Sequence, residues 1–406
     1  MKSFRIARVW FGIATVVGAL AVAGPTAGRI DEGPSDGLRV VSSPDPGVYG
    51  NIVWGLAART AADVWAVGVK ATVPSNDTLA MHWNGTSWAV VPTPNPVPEC
   101  QDGDIYWNGN SLNAAAAVSG TDVWAVGSEC YSMNTLLEHW NGTGWSIVQG
   151  PRLFKGAGLD EFASLYGVAA ISSSDVWAVG YRGSGGIQPL IEHYDGVSWR
   201  VVSAARPVGG GDSYLTGVSG SGPSDVWAVG VGDHSNLIEH WDGTSWSTVA
   251  TPQPVGRSSL EAVKAISRTE AWAVGSKRAS SGGTATFILH WNGSTWSEVA
   301  SPNPSAGADA TNVLRSVAAV SAGNVWAVGM YHNDQTNFHQ RRTLTLHWNG
   351  ISWSIVPSAT PGRSGELNGA VALSKGQVFA SGLYSEYDVN IYDGHYTLPQ
   401  TLVMHG

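Results

Sequence analysis

Charge is scarce in this chain. Only 13% of its 406 residues are Asp, Glu, Lys or Arg, with 22 basic residues against 31 acidic ones. The 43% hydrophobic content with so few charges does not suit a disordered segment. A net charge of −9 supplies no basic face for a phosphate backbone, which excludes nucleic acid as a partner. Cysteine is scarcer still. Cys100 and Cys130 are the whole supply, enough for one disulfide in an oxidising compartment or for two free thiols. Beyond the first 27 residues no apolar run is long enough to span a bilayer. What is plentiful is glycine (51) and tryptophan (20), the composition of many tight turns with large aromatics between layers.

The first residues read as an export signal. Lys2, Arg5 and Arg8 form a basic stretch, Val9 to Ala23 is apolar, and Ala21-Val-Ala23 is a cleavage site with Pro25-Thr-Ala27 as a second choice. The expectation is a signal peptide over 1–27 and a linker over 28–37, with an uncleaved anchor as the alternative. No cysteine lies near the cleavage site, against a lipoprotein, and no Arg-Arg pair suggests twin-arginine export. The mature chain is therefore expected to be secreted, with no membrane span left after signal removal.

A hexapeptide organises the rest. Asp63-Val-Trp-Ala-Val-Gly68 recurs at Asp122 to Gly127, Asp175 to Gly180 and Asp225 to Gly230, with looser copies at Glu270 to Gly275, Asn324 to Gly329 and Gln377 to Gly382. Its aromatics (Trp65, Trp124, Trp177, Trp227, Trp272, Trp326, Phe379) are spaced 59, 53, 50, 45, 54 and 53 residues apart. A period near 50 marks a repeat architecture. A second motif follows each copy but the last: His82-Trp-Asn-Gly85, then equivalents at His139, His193, His240, His290 and His347, each with a Trp three residues after its Gly.

One unit, 214–250, divides into four short runs: Tyr214 to Gly220, Asp225 to Val231, Leu237 to Trp241 and Trp246 to Ala250. None has a helical period, and turn-forming residues separate them. Asp242-Gly243 is expected to form a type I′ hairpin turn. A lone four-stranded sheet cannot bury both faces, so the units must stack radially as blades. The first run of each unit carries small residues, such as Ala114 to Ala117 and Gly167 to Ala170, as crowding around an axis demands. The expected fold is all-β: a seven-bladed β-propeller over 38–406 with four antiparallel strands per blade.

There are seven hexapeptides but six hairpins. The chain stops after Gln400-Thr-Leu-Val-Met-His405, which matches Asp77 to His82, so the last unit lacks a fourth strand. Leu38-Arg-Val-Val-Ser-Ser-Pro-Asp-Pro46 matches the fourth-strand segments Trp88 to Pro96 and Trp296 to Pro304, and is expected to close blade 7 from the N-terminal side.

The Asp-Val-Trp-Ala-Val-Gly and His-Trp-(Asn/Asp)-Gly-(Thr/Ser)-x-Trp motifs together resemble the repeat of a group of secreted bacterial β-propellers related loosely to the kelch and galactose-oxidase propellers. The resemblance covers about 38–406 and implies the fold, not an activity. It departs from kelch repeats in having one Gly after the second strand rather than two. It offers poor material for a copper site of the galactose-oxidase kind. Asp242 to Trp246 is one residue short of the sialidase-type turn.

Candidate sites follow from the links. Those between strands one and two, and three and four, are short and repeated. The others are long and different in every unit (69–77, 93–111, 128–134, 149–163, 181–187, 330–342, 383–399) and share one face, where binding is expected. They carry Tyr106, Trp107, Tyr131, Tyr181, His234, Tyr331, His332, Asp334, Tyr384 and Tyr387. Of these, Tyr106, Trp107, Tyr131, Tyr181, Tyr331, His332, Asp334 and Tyr384 are the expected ligand-binding set. Cys100 and Cys130 fall on that same face, which favours a disulfide between them. Aromatics beside Asn, Asp and Gln suit a glycan or an extracellular protein. The first expectation is a non-catalytic binding propeller, monomeric, without cofactor or metal. Its alternatives are a polysaccharide hydrolase or lyase using Asp104, Asp160 or Glu161, and a structural envelope or matrix protein. His82, His139, His193, His240, His290, His347 and His405 fall one per blade, so they cannot converge on a metal and are expected to bond to the Asp of their own hexapeptide. Asp102-Gly-Asp104 as a calcium loop, and His332, Asp334 and His339 as metal ligands, are weaker readings. The Asn-Gly-Thr/Ser sequons at Asn84, Asn141 and Asn292 are read as turns, leaving Asn76 as the freer glycosylation candidate.

Overall fold

The chain forms a seven-bladed β-propeller of seven four-stranded antiparallel sheets. The computed structural model describes residues 37–72, 76–96, 109–130, 134–154, 161–205, 211–233, 235–332, 340–373, 376–386 and 399–406. Blade 4 is representative. From the inside outward it runs Ser213–Gly222, Asp225–Gly232, Ser235–Trp241 and Trp246–Thr248. The inner strand of every blade packs against the inner strands of both neighbours, so the seven surround one axis. Crowding there explains the small residues: a Cβ on Gly167 would sit 3.1 Å from the Gly217 Cα of the next blade.

Blade 7 consists of Ser364–Ala372, Val378–Ser385 and Gln400–His405, completed by Arg39–Val40. Arg39 pairs with His405 and Val40 with Met404. The expected closure from both chain ends is therefore what forms.

Each second strand is covered by neighbouring blades on both faces. That is why Val226, Trp227, Ala228 and Val229 are all buried, and why the hexapeptide is a continuous apolar run rather than an alternating one. In blades 1–6 the outer strand keeps only its first residue inside: in blade 4, Trp246 is buried, Ser247 and Thr248 are exposed. Outer edges of two to four residues give little template for pairing with another chain.

The tryptophans link the blades. Trp227 packs on His240 of its own blade (4.1 Å between ring centroids) and meets Trp291 (4.9 Å) and Trp296 (5.1 Å) of blade 5. Trp65, Trp124, Trp177 and Trp272 repeat the arrangement with the next blade's aromatics. Six of the seven repeated histidines bond to the first residue of their own hexapeptide. The Nε2 atoms of His82, His139, His193 and His240 lie 2.8 Å from Asp63, Asp122, Asp175 and Asp225, and His290 and His347 use Glu270 and Asn324. In blade 7, Gln377 replaces the acid. His405 stacks on Phe379, its Nε2 is buried without a partner, and burial pushes its imidazole below the ordinary value.

The turn after the third strand is not type I′. Such a turn requires positive φ at both central residues, whereas only the glycines have it here: Gly85 at 97° and Gly243 at 102°, with neither Asn84 nor Asp242 positive. The loop is a four-residue one, and the Asn or Asp side chain organises it. Asn84 Oδ1 accepts from the backbone N–H of Thr86 (2.9 Å) and Ser87 (3.0 Å), and Asp242 does the same for Thr244 and Ser245. The Thr244 hydroxyl also donates to Asp242 Oδ1 (2.7 Å), and that bond above all, with the two backbone N–H groups, holds the exposed Asp242 carboxyl down at about 2.

Three buried carboxyls interrupt the apolar gaps between blades. Glu138, Glu192 and Glu239 pair in register with Ala125, Ala178 and Ala228, where the other blades place Met81, Leu289, Leu346 and Met404. Burial pushes Glu138 and Glu192 up to about 8 and Glu239 to about 7. Neither oxygen of Glu138 has a partner. Folding therefore favours the protonated acids. Their contribution is intact below the ordinary value of 4.5 and is lost as pH rises through 7–8. The melting temperature is expected to fall between pH 5 and about pH 9. Glu138→Met should flatten that slope and stabilise the protein at pH 8 by about 1–3 kcal/mol. A variant whose pH profile matches the parent would show that the carboxyl is solvated after all.

Candidate functional site

Every inner strand carries a β-bulge at the same place. Its register skips one residue between Val53 and Gly55, Leu112 and Ala114, Leu165 and Gly167, Leu215 and Gly217, Leu260 and Ala262, Leu314 and Ser316, and Leu367 and Gly369. The final glycine of the hexapeptide stands opposite and is there because of it. A Cβ on Gly230 would lie 2.0 Å from the Tyr214 carbonyl oxygen, and the other six copies give 1.9–2.1 Å to theirs. The repeated glycine is thus the cost of a bulge in each blade, and the bulge takes one residue out of the strand's alternation.

The seven extra residues are Trp54, Asn113, Tyr166, Thr216, Glu261, Arg315 and Asn368. They form a ring on the innermost strands, towards the end where the chain enters from the long links. The residue just before each bulge is Val53 or a Leu in all seven blades, always fully buried. The bulge residue itself differs from blade to blade.

Three of the seven brace the ring. Asn113 Nδ2 donates to the Leu165 carbonyl (2.7 Å), Thr216 Oγ1 to that of Leu260 (2.8 Å) and Asn368 Nδ2 to that of Val53 (3.2 Å), each in the next blade. Burial raises the Glu261 carboxyl, against the opposing pull of Arg315 and a hydrogen bond from Ser259. Tyr214, two residues before its bulge, is raised by burial and then by the Glu261 charge. Arg315 Nη2 lies 3.5 Å from Glu366, a fully buried carboxylate that also receives Arg341 Nη1 at 2.6 Å. The ring therefore has an aromatic side on blades 1 and 3 and a charged side on blades 5 and 6.

Of the residues expected from the sequence, only those in the described segments can be placed, and these lie away from the bulge positions. Tyr106, Trp107, Tyr131, His234, Asp334, His339 and Tyr387 fall outside the described residues, as do Asp102, Asp104, Asp160 and Cys100. Tyr181, Tyr331, His332 and Tyr384 are not in links. The second strands run past the hexapeptide and pair them with Ser164, Asn312, Thr311 and Gly365. Tyr181 is only 5% exposed, beneath Phe162 (5.7 Å) and Tyr166 (5.5 Å), so it supports the surface rather than forming it. Tyr331 and Tyr384 also pack on blade cores. Glu161 opens the inner strand of blade 3 opposite Ser184. Cys130 follows the strand Asp122–Glu129 at φ 36° and is no free thiol. Among the described residues no cluster of His, Cys, Asp and Glu could hold a metal, and no helix could cross a membrane.

The bulge ring was not found from the sequence, though a signal exists. Each member lies 14 residues before the last glycine of its hexapeptide, as Trp54 does before Gly68. Repeats aligned on that glycine give a column of unlike residues behind a column of Val and Leu.

No family model and no curated protein matches the chain. Solved structures do. YCF48 bound to a D1 peptide aligns with TM-score 0.53 at 13% identity, over 93% of this chain and 99% of that one. The WD40 repeats of RRP9 give 0.54 at 11%, over 93% and 99%. An ulvan lyase of polysaccharide lyase family PL25, bound to -[GlcA(1-4)Rha3S]-, gives 0.50 at 10%, over 86% and 91%. What they share with this chain is the propeller fold. Neighbours of this shape include proteins bound to a peptide and to a polysaccharide, and identity this low carries nothing finer across.

Proposed function

We propose that this chain is a secreted, non-catalytic propeller that binds a glycan or an extracellular protein at the axial mouth on its long-link face. One observation carries the reading: seven structurally equivalent bulge positions hold Trp, Asn, Tyr, Thr, Glu, Arg and Asn, beside a position held by Val or Leu throughout. A position that only packed the scaffold would be as uniform as its neighbour. Aromatic faces opposite a carboxylate and a guanidinium suit a ligand with both apolar and polar edges. The grouping with secreted bacterial propellers bearing the same hexapeptide, the export signal, and a Cys100–Cys130 bridge pinning the 93–111 link belong to the same proposal.

The test screens the secreted protein against glycan and extracellular-protein arrays, with a reducing-sugar assay alongside. Substituting Trp54, Tyr166 and Arg315 together by Ala should weaken the ligand found at least tenfold while leaving the melting temperature within a few degrees. Thr244→Ala, in the repeated turns, should bind as the parent does. Undiminished binding by the triple variant overturns the axial site, and release of new reducing ends overturns the non-catalytic reading. Non-reducing peptide mapping should link the Cys100 and Cys130 peptides, and two alkylatable thiols would refute the bridge.

A further inference from the structure

Between blades 2 and 3 the gap opens on the long-link face into a cavity of about 340 Å³. Leu153 and Phe154, at the end of the blade 2 tail, line one side. Arg182, Gln188 and the hairpin 183–186 of blade 3 line the other. The sequence departs from the other blades at this point. Seven residues after the outer-strand tryptophan, blades 1, 5 and 6 place Asn95, Asn303 and Thr360, which accept the N–H of Thr78, Thr286 and Thr343 in their own third strands. Blade 2 has Arg152 there, and its Nε turns instead to the Phe154 carbonyl (3.1 Å). Leu153 and Phe154 then pack on the apolar cluster of the gap, which includes Ala163, Ala178 and Leu190. Strand alternation puts Arg182 and Gln188 on the same face as Ala178 and Leu190, and the two are paired in register. The hairpin beyond them is pinned. Gly185 takes a φ of 85°, and the Ile187 N–H donates to Asp212 Oδ1 at the start of blade 4 (2.9 Å).

Arg182 is the exception among its equivalents. Two residues after the hexapeptide glycine, Lys70 meets Asp77 (3.5 Å), Glu129 receives Asn134 Nδ2 (3.5 Å) and Lys277 meets Glu298. Arg182 has Gln188 opposite it and no hydrogen-bond or ion-pair partner among the described residues. The cavity lining holds no carboxylate. A half-buried guanidinium beside a phenyl ring is thus left with its five donors for a ligand.

We propose that this cavity binds a uronate, free or at the end of a glycan. Arg182 takes the carboxylate through two parallel N–H donors, Leu153 and Phe154 cover the C–H face of the sugar ring, and Gln188 with the hairpin backbone reads the hydroxyls. The volume lies at the small end of ligand cavities, which suits one sugar ring rather than a macromolecular surface. The site is off the axis, on the second and third strands of blade 3, and stands whether or not the bulge ring binds anything.

Isothermal titration of the full chain at constant ionic strength tests this with D-glucuronate, methyl β-D-glucuronide, D-glucose and benzoate. The two uronates should bind, with glucose and benzoate at least tenfold weaker. Arg182→Gln should weaken glucuronate at least tenfold, and Arg182→Lys should retain part of the binding. Gln188→Glu supplies the internal partner that Asp77 gives Lys70, so it should abolish binding while leaving the melting temperature at or above the parent's. Tighter binding of the methyl glycoside marks a glycan end as the source, and tighter binding of glucuronate marks the free acid. The site is wrong if the parent does not bind glucuronate, if Arg182→Gln and Gln188→Glu bind it as the parent does, or if benzoate matches it. Loss of glucuronate binding in Trp54→Ala with Arg182→Gln unaffected would place the acid at the axial mouth and overturn this site. The opposite pattern upholds it whatever the mouth binds.

Discussion

Deleting residues 38–46 should destabilise the ring by on the order of 5 kcal/mol or more, a large share of a typical stability. Leu38 is 1% exposed and bridges two blades, donating from its N–H to the Pro357 carbonyl and accepting from the N–H of Ala359. The N–H of Val41 bonds the Val403 carbonyl of blade 7. Beyond the strand, Asp45 Oδ1 accepts from the Thr401 N–H at 2.6 Å, while Thr401 Oγ1 bonds the Pro44 carbonyl. Asn95 and Asn303 clamp Thr78 and Thr286 in the same way, so the segment does for blade 7 what a blade's own tail does elsewhere. The deletion also bares the edge of Gln400–His405, and self-association should follow. Thermal melts and sedimentation measure both effects, and a synthetic 37–46 peptide added in trans should reverse them. A truncated protein that melts with the parent and stays monomeric would remove the closure from the account of stability.

The fold was legible because each blade is specified locally and repeated. The closure was legible because Leu38 to Pro46 carries the outer-strand tail down to the clamping acid. The bulge ring was not, since a bulge is an event of register. Nothing in the pattern of Tyr214 to Gly220 says that Thr216 drops out of pairing; that follows from Gly230 lying against a carbonyl across the sheet. Tyr181, Tyr331 and Tyr384 read as link residues in the sequence for a related reason. The glycine that ends the hexapeptide reads as the end of a strand, whereas in blade 3 the strand continues to Ser184 and carries Tyr181 under Phe162. Asn-Gly misled in the turns because the same dipeptide serves two geometries. Capture of the Thr86 and Ser87 N–H groups by the Asn84 side chain decides between them.

Equivalent tryptophans should differ in what their loss costs. Trp227→Ala opens a cavity between blades 4 and 5, where the indole is 1% exposed and packed by His240, Trp291 and Trp296, and should cost about 3–5 kcal/mol. Trp326 holds the same place in blade 6, but blade 7 brings no tryptophans to meet it. Its neighbours there are Leu38, Met404 and the other residues of a smaller aliphatic cluster, and the ring is only half-buried. Its Nε1 already bonds Asn324 Oδ1 at 2.9 Å, near the blade surface. Less apolar area is lost and water reaches the gap, so Trp326→Ala should cost at least about 1 kcal/mol less than Trp227→Ala. Urea denaturation of the two variants, compared at equal slope, reads the difference directly. Equal losses would mean that the aromatic contacts between blades add nothing to the burial of each indole within its own sheet.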